Sequence, residues 1–145
     1  MRLKGDDGVG KFAVDFEVAN HADVMDARRG LLAEEKVRRT TISGVVDSGA
    51  TRLVLPTSIA KQLGLAPTGK VKVTYAGRQT ATRDFVEDVD VTLLGRHGVF
   101  TAALEPKRTT ALIGAIVLED LDFLVDCTKQ KLVPRDPDYV VSELE

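Results

Sequence analysis

The chain has 145 residues, 43% apolar and 29% charged, with a net charge of −2, which suits one domain with a real buried core. Acidic and basic residues are interspersed, so neither nucleic acid nor an anionic membrane surface finds an electrostatic footprint. The single cysteine, Cys127, excludes an intrachain disulfide and fits a reducing compartment. No stretch has the length or apolarity of a signal peptide or a membrane span, and the sequence reads as a soluble cytoplasmic protein.

Residues 1–10, with Gly5, Gly8 and Gly10 around two aspartates, read as a flexible lead-in. A single domain is expected over 11–136, followed by a polar C-terminal tail at 137–145. Phe12, Val14, Phe16 and Val18 alternate with smaller or polar residues and predict a half-buried strand. Asn20 to Asp23 reads as a turn, residues 23–39 as a charged connection broken at Gly30, and Lys36 to Ser43 as a second strand. Leu53-Val54-Leu55 predicts a short buried strand ended by Pro56. Thr57 to Gly64 predicts a short helical turn with a hydroxyl at its start and glycine at its end.

Val71, Val73 and Tyr75 then alternate with Lys70, Lys72 and Thr74, and Gln79 to Phe85 returns, a β-hairpin tipped by Ala76-Gly77-Arg78. Val89 to Leu93 predicts a further strand, turned at Gly95 to Gly98 into Val99–Leu104. After Gly114 comes the one convincing helix, Ala115 to Phe123, with Glu119, Asp120 and Asp122 facing water. Lys131 to Pro134 predicts a last strand. Many short strands, regular turns and one short C-terminal helix imply a mostly β fold, a small closed or sandwich-like domain.

Val45-Val46-Asp47-Ser48-Gly49-Ala50-Thr51, leading into Leu53-Val54-Leu55, carries the chemistry. Asp, Ser and Gly alone make an ordinary turn. An aspartate between an apolar pair and an apolar strand is different, because desolvating a carboxylate is costly unless something stabilises it. Other polar groups invite plainer readings. His21 and His97 fall in turns and read as surface residues. Asp88 and Asp90 read as a solvated strand face, and Cys127 as a small buried residue. Ser48 lacks the Gly-x-Ser-x-Gly context of a serine hydrolase. No metal-ligand spacing and no cofactor motif stand out.

The Asp47 segment, followed by Ala111-Leu112-Ile113-Gly114 ahead of a helix, resembles the signature of retropepsin-like aspartic proteases, of the single-lobe cellular type. The resemblance runs from about Lys36 to Pro134. It implies a small closed β-barrel with one lobe per chain and an aspartic endopeptidase activity that needs no metal or cofactor. Asp47 would be the catalytic carboxylate, with Ser48, Gly49 and Ala50 supporting the loop. Tyr75, Ala76 and Gly77 would lie at the tip of a flap that closes over substrate; plain strand packing is the other reading of Tyr75. Leu112, Ile113 and Gly114 would pack under the active-site loop.

Such an enzyme needs two neighbouring carboxylates, and the chain carries Asp-Ser-Gly once. The implied partner is Asp47 of a second copy, making a homodimer acting on a peptide or protein substrate, with neither nucleic acid nor membrane as partner. Two departures stand out: Thr51 and Ala115 occupy positions where viral members carry an acid–arginine pair. Residues 1–35 have no viral counterpart. A second function of another class is a non-catalytic module of the same fold that dimerises or binds peptides.

Overall fold

In the computed structural model, which describes residues 11–145, the alternating stretch after Lys11 forms β1 (Phe12–Asn20). The expected lead-in at 1–10 lies outside the described residues. β2 (Arg39–Val46) runs antiparallel to β1 over its whole length, from Phe12 opposite Val46 to Ala19 opposite Arg39. β3 (Leu53–Pro56) and β7 (Ala111–Ile113) are short and central. β5 (Thr80–Leu93) and β6 (Arg96–Glu105) form the long hairpin of the domain. The strand order is β1-β2-β7-β3-β6-β5, and β5 pairs back onto β1 through Glu17–Asn20, so six strands close into a barrel. Closure removes the exposed edges that an open sheet would present. β4 (Gly69–Thr74) hangs on the outer side of β5.

Side chains from the barrel strands fill the interior: Val18, Val46, Leu55, Val86, Val91, Leu93 and Ile113 are completely buried. Their β-branched and γ-branched shapes suit a pleated surface with one face in the core. The mostly β, single-lobe barrel read from the sequence is the fold observed.

The helices differ from expectation. Three short ones occur among the described residues: α1 (His21–Arg28), α2 (Thr57–Gln62) and α3 (Ala115–Asp120). α1 replaces the turn predicted at Asn20–Asp23. The Asn20 side chain accepts the Asp23 N–H at 3.1 Å, an N-cap that starts a helix where the strand ends. The helix lacks an apolar stripe because Asp23 is its only buried residue, so periodicity gave no signal. α3 stops at Asp120, short of the predicted Phe123. Asp122 turns left-handed at φ 62°, and Phe123–Asp126 leaves as β8, paired with β9 (Lys131–Pro134). Consequently Asp122 is buried rather than water-facing, held to Arg135 at 2.8 Å. Cys127 is exposed, not buried, because it sits in the β8–β9 turn.

The strands predicted at Gln79–Phe85 and Val89–Leu93 are one strand, β5, interrupted by a bulge between Val86 and Val89 with Asp88 at φ 60°. The tail is also tied down. The Arg96 guanidinium donates to the carbonyls of Leu121 and Asp122 and to those of Asp136 and Tyr139, and Asp122 accepts the Val141 N–H at 2.9 Å.

α1 is fastened to the chain before β2 by a forked ion pair. Arg38 donates Nε and Nη2 to the two oxygens of Asp23 at 2.8 and 3.0 Å, and the Arg38 backbone N–H adds a third bond at 3.0 Å. Hydrogen bonding from Arg38 holds the Asp23 carboxyl below its usual 3.8 against the opposing effect of burial. A lowered native value contributes stability that is present above the unfolded value and is lost as pH falls through the native one. Asp23→Asn is expected to cost about 1–3 kcal/mol at neutral pH. Urea titrations of both proteins should converge as pH drops below about 4; a gap that persists in acid would refute this account.

Candidate active site

The geometry of the Asp47 loop follows from the three central strands. β2 and β7 run parallel, with Gly44, Val45 and Val46 opposite Ala111, Leu112 and Ile113. β3 returns on the other side of β7, antiparallel, Val54 opposite Leu112. The chain between β2 and β3, residues 47–52, must therefore cross the end of β7. Its backbone is braced there. The Asp47 N–H donates to the Ile113 carbonyl at 3.0 Å. The first N–H groups of α3, from Ala115 and Ile116, donate to the carbonyls of Ala50 and Thr51 at 2.8 and 3.0 Å. Two donors that a helix start leaves without intrahelical partners thus hold the loop.

Gly114 makes this approach possible. A Cβ built there would lie 2.4 Å from the Arg52 carbonyl oxygen and 2.8 Å from the Ala50 oxygen and the Arg52 nitrogen. All three are backbone atoms, so no side-chain rotation relieves the clash. Ile113 and Gly114 thus meet the loop backbone, while Leu112 lies between Val45 and Val54 of the flanking strands.

The Asp47 side chain is 19% exposed. Its Oδ1 accepts the Gly49 N–H at 3.0 Å, and the Ala50 N–H donates to the Asp47 carbonyl at 3.1 Å, a tight turn that fixes the carboxylate direction. The sequence reading missed Lys11, whose Nζ lies 3.4 Å from Asp47 Oδ2. Antiparallel pairing of β1 with the end of β2 brings them together, Phe12 standing opposite Val46. Ser48 has no side-chain hydrogen bond to the rest of the loop, whereas Gly49 and Ala50 serve it through their backbone N–H groups.

The β4–β5 hairpin carries Tyr75, Ala76 and Gly77, the residues expected at a flap tip. Lys70, Lys72 and Thr74 are exposed, whereas Val71, Val73, Ala81 and Arg83 share the half-buried face. At the tip the Tyr75 N–H donates to the Gln79 carbonyl and the Arg78 N–H to the Tyr75 carbonyl, both at 2.9 Å. The left-handed position of the tip, φ 66°, belongs to Arg78 rather than to Gly77. The Tyr75 hydroxyl donates to Glu105 Oε2 at 2.5 Å, and Arg83 Nε donates to Glu105 Oε1 at 2.6 Å. Burial pushes the Glu105 carboxyl up, but these two bonds outweigh it, and with the nearby Arg108 charge they hold it below its usual 4.5. Plain strand packing does not describe Tyr75, whose ring is partly exposed and whose hydroxyl is bound.

Asp90 departs most from expectation. It is buried, and each of its oxygens meets an imidazole: His21 Nδ1 at 2.8 Å and His97 Nε2 at 2.5 Å. The two histidines are thus partners of one carboxylate instead of separate surface residues. Their spacing of 69 and 7 residues from Asp90 carries no local signal; barrel closure joins them. A cavity of about 240 Å³ opens beside Asp90 and His97, and one of about 480 Å³ lies between α3, β8 and the tail. Neither is lined by Asp47 or the hairpin tip. No cluster among the described residues fits a metal ion. No helix among them is long and apolar enough to cross a membrane.

The chain matches the aspartyl protease family over residues 33–117, more than half its length, and belongs to that family. This bears out the resemblance read from the Asp47 segment. Among solved structures, the EIAV protease complexed with the inhibitor HBY-793 is 21% identical, with a TM-score of 0.46, covering 57% of this chain and 78% of its own. The simian foamy virus (mac) protease is 16% identical, TM-score 0.44, covering 55% and 81%. The foamy viral protease–reverse transcriptase bound to an RNA/DNA hybrid is 18% identical, TM-score 0.47, covering 67% of this chain and 11% of its own. Comparison with curated proteins gives no match.

Proposed function

We propose that this protein is an aspartic endopeptidase whose active site forms when two copies bring their Asp47 carboxylates together about a two-fold axis. The observation that carries the reading is the Asp47 turn: a carboxylate aimed by the Gly49 N–H, on a loop bonded to both β7 and the start of α3. A C2 dimer places identical residues in pairs without further design.

Two carboxylates at that distance cannot both be ionised, so they share a proton. The ionised one takes a proton from a water held between them. The water oxygen attacks the peptide carbonyl carbon while the protonated carboxyl donates to the carbonyl oxygen, giving a tetrahedral diol. Collapse of the diol breaks the C–N bond, with a proton delivered to the leaving nitrogen. The two carboxylates supply every proton transfer, so the cycle uses no cofactor. The β4–β5 hairpin acts as the flap. Its half-buried face, Val71, Val73 and Ala81, lies outside the apolar core cluster and supplies one wall for an extended peptide, with Tyr75, Ala76 and Gly77 at the tip. Lys11, 55% exposed and attached to the carboxylate by one contact, is free to swing aside when the partner arrives.

The test is mass in solution together with cleavage of a mixed peptide library from acidic to neutral pH, with and without a pepstatin-type inhibitor. A dimer with inhibitable cleavage is the expected result. A monomer at micromolar concentration that cleaves nothing would overturn the proposal and leave a peptide-binding module of the same fold.

A further inference from the structure

The hairpin's tip is held to the barrel by polar contacts rather than by apolar packing. Val71 and Val73 belong to its half-buried face yet lie outside the apolar core cluster. What touches the barrel is the Tyr75 hydroxyl, on the Glu105 carboxylate at the end of β6, with Arg83 from β5 on the other oxygen. Glu105 stands opposite Pro56, where β3 leads into α2. Tyr75 and Glu105 are 30 residues apart, so the bond is a tertiary device, not part of the turn.

We propose that Glu105 is a positioning residue for substrate: clamped by Arg83, its carboxylate latches the flap tip through the Tyr75 hydroxyl and sets the height of the flap above the Asp47 loop. The inference rests on the reading of the hairpin as a flap. A bond of this kind is directional and made to a charged acceptor, so it is stronger than a neutral one and fixes one geometry. It also spares the substrate part of the cost of ordering the hairpin when it binds, which is how preorganisation raises affinity.

The groups facing Glu105 are Tyr75 and Arg83 by hydrogen bond and Arg108 by charge alone. All three favour the carboxylate over the acid. The latch therefore persists at acidities where an ordinary glutamate takes up its proton, and it fails only as pH falls through the lowered value. A carboxylate-pair enzyme, which requires one of its own acids protonated, gains from a flap anchor that stays charged in mild acid.

The test uses the full-length chain, its Tyr75→Phe, Glu105→Gln and doubly substituted variants, and one peptide substrate. Tyr75→Phe removes only the hydroxyl. It should raise KM about tenfold, the size expected for a bond to a charged group, with kcat moving far less. Amide hydrogen exchange of residues 75–79 should quicken while that of β2 and β7 stays unchanged. In the double variant the two effects should fall short of additive, since they remove one shared bond. If KM and tip exchange in Tyr75→Phe equal the wild-type values, the latch does not exist, whatever the cleavage activity. If wild type cleaves nothing but tip exchange quickens in Tyr75→Phe, the latch stands and the protease reading falls.

Discussion

Replacing Asp47 with Asn is expected to abolish peptide hydrolysis, by about 10³-fold or more, while leaving the fold and the dimer in place. The amide is nearly isosteric with the carboxylate, and its oxygen accepts the Gly49 N–H that Oδ1 accepts at 3.0 Å. The bonds that brace the loop, from Asp47 N–H to Ile113 and from Ala115 and Ile116 to the loop carbonyls, are backbone bonds and survive. Among the described residues, the one interaction lost is the contact with Lys11 at 3.4 Å, whose lysine is 55% exposed; pairs of that kind contribute about 0–1 kcal/mol. Chemistry fares differently. In a symmetric dimer the substitution removes both carboxylates at once, so neither base nor shared proton remains. Unchanged urea midpoint and unchanged mass, with cleavage gone, is the signature expected. Residual turnover within tenfold of wild type would remove Asp47 from the reaction.

The fold and the site were legible in the sequence to different depths, for a physical reason. The Asp47 loop announces itself because its stabilising groups are local: the apolar pair before it, the Ser-Gly turn, and a strand after it. The hairpin is likewise a local object with strict alternation on β4. Elements whose stability is settled at a distance were not readable. β5 looked like two strands because the bulge at Val86–Val89 breaks the alternation, and only its partners β6 and β1 keep the strand continuous. α1 buries nothing apolar, so its one signal was the Asn20 cap three residues before Asp23. Asp90, Lys11 and Glu105 owe their roles to partners brought near by barrel closure, by strand pairing and by the hairpin's fold. Paired charges of this sort leave no spacing in the chain.

Gly114→Ala is the other substitution expected to have a large effect, and it separates the scaffold from the chemistry. The glycine has φ −92° and ψ −177°, an extended conformation open to any residue, so the requirement is not conformational freedom. It is space: a methyl carbon at 2.4 Å from the Arg52 oxygen and 2.8 Å from two further backbone atoms cannot be accommodated without moving the loop. The loop cannot move alone, because Ala50 and Thr51 are bonded to the first residues of α3 and Asp47 to β7. Either those bonds break, or α3 and the buried Val117 and Leu118 shift with it. Overpacking at constrained positions costs about 1–3 kcal/mol, occasionally more, and the loss of loop bonds places this site at the upper end. Gly114→Ala should lower the urea midpoint by an amount corresponding to about 3 kcal/mol and remove cleavage through misplacement of Asp47. A displacement of about 1 Å in a reacting group already costs about 10²-fold in rate. Asp47→Asn, inactive but as stable as wild type, and Gly114→Ala, inactive through misplacement of Asp47 and also less stable, should therefore part company in the melt. If Gly114→Ala melts with wild type, the packing of β7 and α3 under the loop is not what holds Asp47 in place.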